Sequence, residues 1–306
     1  MNKTAAAILS VLAFCAASFA QAEEPETIEA RREARRAAWA AMGIEDYIPP
    51  EVKTGTAEEL GAWDAPDATQ GVAADEKYFY AVANYVIGKY ERESGKLVKR
   101  WIGKRGGPIG HLNSCYEEAG RLYCANSNHP NLPMASSIEI FDAKTMTHAD
   151  SKSLGILDEG SLVWFDHYKD GWIAGFAQYD DETGLPYKDH TYATVVTFDK
   201  QWRKTGGYAL PASILEKMAP QAASGGAIGP DGKLYVMGHD LPEMYVLDFP
   251  EMGPTLVHAA TIAVPAEGQA FDFDPKEKRR VWAISRPRGK VVSFRLPAVN
   301  QAERRP

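Results

Sequence analysis

Cysteine is scarce in this chain, three residues in 306, and none has the spacing of a zinc finger or ribbon. A basic stripe is also missing. The formal net charge is −7, which argues against a nucleic-acid partner. Beyond the first 22 residues, no apolar run is long enough to cross a bilayer. There is no Gly-x-Ser-x-Gly elbow: Gly160-Ser161-Leu162-Val163-Trp164 is not one, which makes a serine hydrolase of that type a poor reading. No dense acidic loop marks a calcium site. The Gly/Pro-rich loop Gly103–Gly110 does not link a strand to a helix, as a phosphate-binding loop would. What is present is ordinary globular material, 45% hydrophobic and 25% charged, ample for one large domain.

Residues 1–22 read as a secretory signal, with Lys3 as the positive end, Ala5–Phe19 as the apolar core and Ala20-Gln21-Ala22 as the small-x-small cleavage site. Cleavage before Glu23 removes Lys3 and Cys15, taking the net charge to −8 and leaving Cys115 and Cys124. The expected location is periplasmic or secreted, with no membrane span after cleavage. Residues 23–55 read as a helical arm and linker. The helix covers Glu26–Met42, with Thr27 as N-cap and Gly43 as stop. Its Arg31, Arg32, Arg35 and Arg36 interleave with Glu29 and Glu33, the pattern of a solvated face. Residues 56–298 form the main domain, and 299–306 a disordered tail.

Five stretches of the main domain share one plan: a strand of small and apolar residues, a tight turn, and a second apolar strand ending in polar residues. The clearest is Ser224-Gly225-Gly226-Ala227-Ile228, a Pro230-Asp231-Gly232 turn, and Leu234–Met237 ending at His239-Asp240. The others run from Gln70 to Asn84, from His111 to His129, from Gly160 to Tyr179 and from Glu267 to Arg286. Third strands follow at Val86–Tyr90, Ser137–Asp142, Thr194–Asp199, Met244–Asp248 and Lys290–Leu296. Fourth strands follow at Leu97–Trp101, Thr147–Leu154, Trp202–Leu210 and Leu256–Val264. Periods of roughly 40–50 residues suit four-stranded propeller blades. Such blades bury their faces only by stacking around an axis. The expectation is therefore an all-β, five-bladed β-propeller with a short N-terminal helical arm. A six-bladed ring is the alternative. The last blade lacks a fourth strand, and Glu58–Trp63 is the candidate to supply it and close the ring. Cys115 and Cys124 face each other across the hairpin centred near Ala119, so a cross-strand disulfide is expected, in keeping with an oxidising compartment.

In a propeller, the starts of the first strands and the ends of the second strands meet around one mouth of the channel. Here that set is polar: Gln70, Asn84, His111, Asn128, His129, Glu159, Gln178, His239, Asp240, Gln269 and Arg286 among others. The opposite ends are ordinary turns. The polar end is the expected pocket. His111, His239, Asp240 and Glu159 are the catalytic candidates, with the histidines as proton-transfer groups or metal ligands. Asn128, His129, Gln178, Gln269 and Arg286 are the substrate-binding candidates. A divalent ion, zinc or calcium, is the cofactor such a set admits, with His111 and His239 as its ligands. The expected partner is a small molecule.

The repeats Ser224–Val236 and Glu267–Asp274 resemble the inner-strand repeats of two groups of secreted propellers: the plant and bacterial type of glutaminyl cyclase, with five blades, and the gluconolactonase-like and strictosidine-synthase-like propellers, with six. The resemblance covers residues 70–296 as a blade pattern. It implies an exported enzyme acting on a small polar or anionic molecule by hydrolysis, lactone opening or closing, or elimination. The alternative is a propeller that binds a ligand or a protein without catalysis.

Overall fold

The computed structural model describes residues 27–299; the signal segment read at residues 1–22 and the tail after Val299 lie outside the described residues. The chain divides into two compact units, with the boundary between Ile48 and Pro49. In the first, the helix covers Ile28–Ala41, shorter at each end than the sequence suggested. Thr27 caps it, its hydroxyl accepting from the Ala30 amide at 3.1 Å, and Gly43 ends it at φ +77°. None of its residues is buried.

The second unit is a five-bladed propeller. Blade one comprises Gly71–Ala74, Tyr78–Ala83, Val86–Glu91 and Leu97–Ile102. Blade two comprises His111–Glu118, Arg121–Ser127, Ala135–Asp142 and Thr147–Ile156. Blade three comprises Ser161–Tyr168, Gly171–Ala177, Thr194–Phe198 and Lys204–Ala209. Blade four comprises Gly225–Ile228, Leu234–Met237, Glu243–Asp248 and Val257–Ala263. Blade five has Asp272–Phe273, Arg280–Ser285 and Lys290–Arg295, and takes Glu58–Asp64 as its outer strand. The ring is thus closed by the segment the sequence nominated. Lys53–Thr56, expected as linker, instead pairs in parallel with Val257–Ala263 and gives blade four a fifth strand.

Two recurring devices explain why these segments pair as they do. Turn carboxylates accept from the second strand's aromatic polar group: Asp75 from the Tyr80 hydroxyl (2.6 Å), Asp231 from the Tyr235 hydroxyl (2.9 Å) and Asp274 from the Trp282 indole N–H (2.9 Å). Each holds a hairpin at its tip. Within and between blades, large side chains pack against glycine. Trp164 is fully buried, and a Cβ at Gly175 or Gly226 would fall 2.1 or 2.4 Å from its ring. The inner strands are buried on both faces because a neighbouring blade covers each. Cys115 and Cys124 are paired in register in blade two and joined by a disulfide.

Candidate functional site

The mouth is assembled where first strands begin and second strands end. His111 opens its strand opposite Ser127. His129 follows two residues further on, and its ring lies 4.8 Å from that of His111. On its other side His129 meets Tyr179 of blade three at 4.7 Å. Burial, and secondarily the neighbouring His129, lowers the His111 pKa to about 4. Burial also lowers that of His129, with Asp181 pulling the other way. Burial raises the Tyr179 hydroxyl to about 12, the nearby Ser161 hydroxyl opposing. This side of the mouth therefore carries two neutral imidazoles and a neutral phenol at neutral pH. Gln178 is fully buried beside them, donating to the Asp158 carbonyl at 3.2 Å.

The blade four and five side is charged. His239 Nδ1 lies 2.7 Å from Asp240 Oδ1. Arg286 donates to Asp240 (3.0 Å), to the His239 carbonyl, and to His239 Nε2 at 3.2 Å. The guanidinium lies against both ring nitrogens of His239, at 3.2 Å from Nε2 and 3.4 Å from Nδ1. Gly268, at φ +67°, passes this cluster so closely that a Cβ would sit 2.3 Å from the His239 carbonyl. Gln269 follows, with its amide bonded to the Gly238 carbonyl at 2.8 Å.

The other nominated residues have different neighbours. Asn128 uses its amide to close its own loop, donating to the Pro133 carbonyl (2.9 Å) and accepting from the Ala135 amide (2.8 Å). Glu159 forms an ion pair with Lys204. His111 and His239 belong to blades two and four, and each contacts the partners just described. Among the described residues, the group of three with metal-ligand character is Asp180, Asp189 and His190, in the insertion of blade three, with ligand atoms within 4.8 Å of one another. This O,O,N set could hold a divalent ion. Its three residues are not among the candidates read from the sequence.

The mouth also concentrates polar atoms with no partner. Eight buried side-chain polar atoms among the described residues lack a hydrogen bond. Six belong to residues around this mouth: Ser127, His129 (Nδ1), Ser161, Gln178 (Oε1), Glu267 and Ser285. An unpaired buried polar atom costs about 1–3 kcal/mol, so such a cluster marks a place made to be filled by water or a ligand.

The opposite end of the channel holds what sequence reading passed over as turns. A cavity of about 250 Å³ is walled there by Glu117, Asp166, Asp272 and Phe271, among others. Burial raises Asp166 to about 6, opposed by the amides of Ile228 and His167, which donate at 2.7 and 2.6 Å. Burial raises Asp272 well above the usual range. Its carboxyl accepts from the Ala74 amide of blade one at 3.1 Å. Both residues keep some accessible surface because the cavity reaches them, yet protein walls them in, and it is this wall that penalises charge. Inner strands of blades two, three and five carry Glu117, Asp166 and Asp272 towards this end.

No protein-family model matches the chain, and no curated protein matches it in sequence. Among solved structures it is similar to a luciferin-regenerating enzyme (TM-score 0.47, 12% identity, covering 80% of this chain and 96% of that one). It is also similar to a PQQ-bound aldose sugar dehydrogenase from Streptomyces coelicolor (0.47, 10%, 81% and 99%). A gluconolactonase from Xanthomonas campestris gives 0.43, 10%, 74% and 71%. At these values the likeness carries no argument about chemistry, and the functional reading rests on the mouth itself.

Proposed function

We propose that this propeller is an exported enzyme that binds a small polar molecule at the mouth and acts on it by acid–base chemistry, of hydrolase, lactonase/cyclase or lyase type. The observation that carries the reading is the ring of unpartnered polar atoms, which lies beside neutral histidines. His129 offers a free Nδ1 as proton acceptor, and His111 packs against its ring. Gln178 Oε1 and the Ser127 hydroxyl are buried hydrogen-bonding groups of the same end, and a ligand would have to open the mouth to meet them. Arg286, held by Asp240 and His239, is the cation we assign to stabilise negative charge on the substrate. The disulfide supports export.

The test is a thermal-shift screen of the purified protein against neutral and anionic small polar metabolites, followed by turnover assays on each stabilising compound. A stabilising compound that is consumed by wild type, and at least about 100-fold more slowly by His129→Gln, supports the reading. Unchanged turnover in His129→Gln and His111→Asn would remove these residues from the chemistry. A compound bound at the mouth but never turned over would leave a ligand-binding propeller.

A further inference from the structure

His111 begins its strand on a backbone held by one side chain. Asn126 Oδ1 accepts from both the Gly110 and His111 amides, each at 3.2 Å. The Asn126 amide nitrogen donates to the Pro108 carbonyl (3.3 Å) and to Ser137 Oγ (2.9 Å). Ser137 in turn bonds Glu139 Oε1 at 2.5 Å. The other Glu139 oxygen meets Ser151 Oγ (2.7 Å) and His148 Nε2 (2.8 Å). Asn126 and Glu139 are both buried, at 4% and 3% exposure.

The direction of this chain follows from hydrogen-bond inventory. A carboxylate only accepts, so Ser137 must give Glu139 its single proton. Ser137 must then accept from Asn126, which forces the amide nitrogen outward. The amide oxygen is left facing the Gly110 and His111 N–H groups. An acceptor in the middle of blade two thus sets, together with the Pro108 carbonyl, which end of an amide faces the first mouth residue. Charge assistance at the Glu139 end strengthens the whole chain.

We propose that Glu139 is a positioning residue for His111, acting through Ser137 and Asn126 by fixing the polarity of this chain. The inference rests on the mouth reading only for its functional consequence; the geometry is tested without a substrate.

The experiment is a charge-reversal cycle in the full chain, read by NMR on the Gly110 and His111 amides and on the titration of the His111 imidazole. In Asn126→Asp, two carboxylates compete for the one Ser137 proton. The expected result is displaced Gly110 and His111 amide resonances, with the His111 pKa raised because a carboxylate now stands beside it. Glu139→Gln alone should change little, since its amide oxygen can still accept from Ser137. In Asn126→Asp/Glu139→Gln, the introduced glutamine donates to Ser137, and Ser137 donates to the introduced aspartate, so the chain runs backwards. This double variant should return the amide resonances most of the way to wild type, while the His111 pKa stays raised because the carboxylate at position 126 remains. Additive damage in the double variant, or an Asn126→Asp spectrum like wild type, would overturn the proposal. If Asn126→Asp does not fold, Ser137→Ala serves instead: unchanged Gly110 and His111 amides there would overturn it equally. Because no readout involves turnover, a mouth that binds nothing would sink the proposed function and leave this result standing or falling by itself.

Discussion

The two ends of the channel take opposite sides of the same physics. At the mouth, burial removes protons from bases: His111 falls to about 4. At the turn end, burial keeps protons on acids: Asp166 rises to about 6. The ends differ in how their polar groups are met. Asp166 and Asp272 are bonded to backbone amides of the next blade and so act as clasps between inner strands. Ser127, Gln178 and Ser285 at the mouth leave atoms unmet. Most of the unmet polar atoms lie at the mouth, and the turn end has one of its own in the Tyr116 hydroxyl.

The strongest test of this contrast is the pH dependence of stability. His111 binds its proton more weakly folded than unfolded, so its contribution is lost as pH falls from 6.5 through 4. Asp166 binds its proton more strongly folded, so its contribution is lost as pH rises from 3.8 through 6. Each is worth on the order of 3 kcal/mol at most, less where cavity water solvates the group. The two slopes oppose, so the variants should depart from wild type in opposite directions between about pH 4 and 6. Asp166→Asn should lose stability on acidification more steeply than wild type, and His111→Asn less steeply. Urea unfolding across that range measures both, and parallel profiles for the two variants would break the comparison.

A smaller effect separates clasp from charge. Asp272→Ala leaves the Ala74 amide unpaired and should cost about 1–3 kcal/mol, whereas Asp272→Asn keeps an acceptor and should be at least as stable as wild type at pH 7. Equal losses in both, by chemical denaturation, would mean that the carboxyl charge is what matters. Smallest of all is a pair of serines. Ser136 Oγ accepts from the Leu162 amide at 3.1 Å, so Ser136→Ala should cost about 1 kcal/mol. Ser285 Oγ has no partner, so Ser285→Ala should be neutral or slightly stabilising. Similar costs at the two positions would show that the mouth hydroxyl is already satisfied.

Much of the fold was readable in the residues because turns announce themselves. Pro230-Asp231-Gly232 and its counterparts mark hairpin tips, and the closing strand Glu58–Asp64 was found by counting what the last blade lacked. Lys53–Thr56 was not readable as a strand. Its exposed Lys-Thr-Gly-Thr sequence has no apolar alternation, and it is held by main-chain pairing to a neighbour known only from the structure. The membership of the mouth was readable from topology, but partner choice was not. Asn128 spends its amide on partners five and seven residues away, and Glu159 meets a lysine 45 residues away. The acidic end was overlooked for a physical reason. A carboxylate beside a turn has the same sequence signature whether it caps the turn, as Asp75 does, or reaches across to another blade, as Asp272 does.

The closure of blade five sets an order of events in folding. Glu58 pairs with Arg295 across 237 residues of chain, so a strand synthesised ahead of all five hairpins meets its partner last. A contact so distant repays its loop-closure entropy only after the intervening blades have stacked. Until then Glu58–Asp64 waits as an unpaired strand, open to the wrong neighbour. The mouth, which needs all five blades around it, comes into being only with that final pairing.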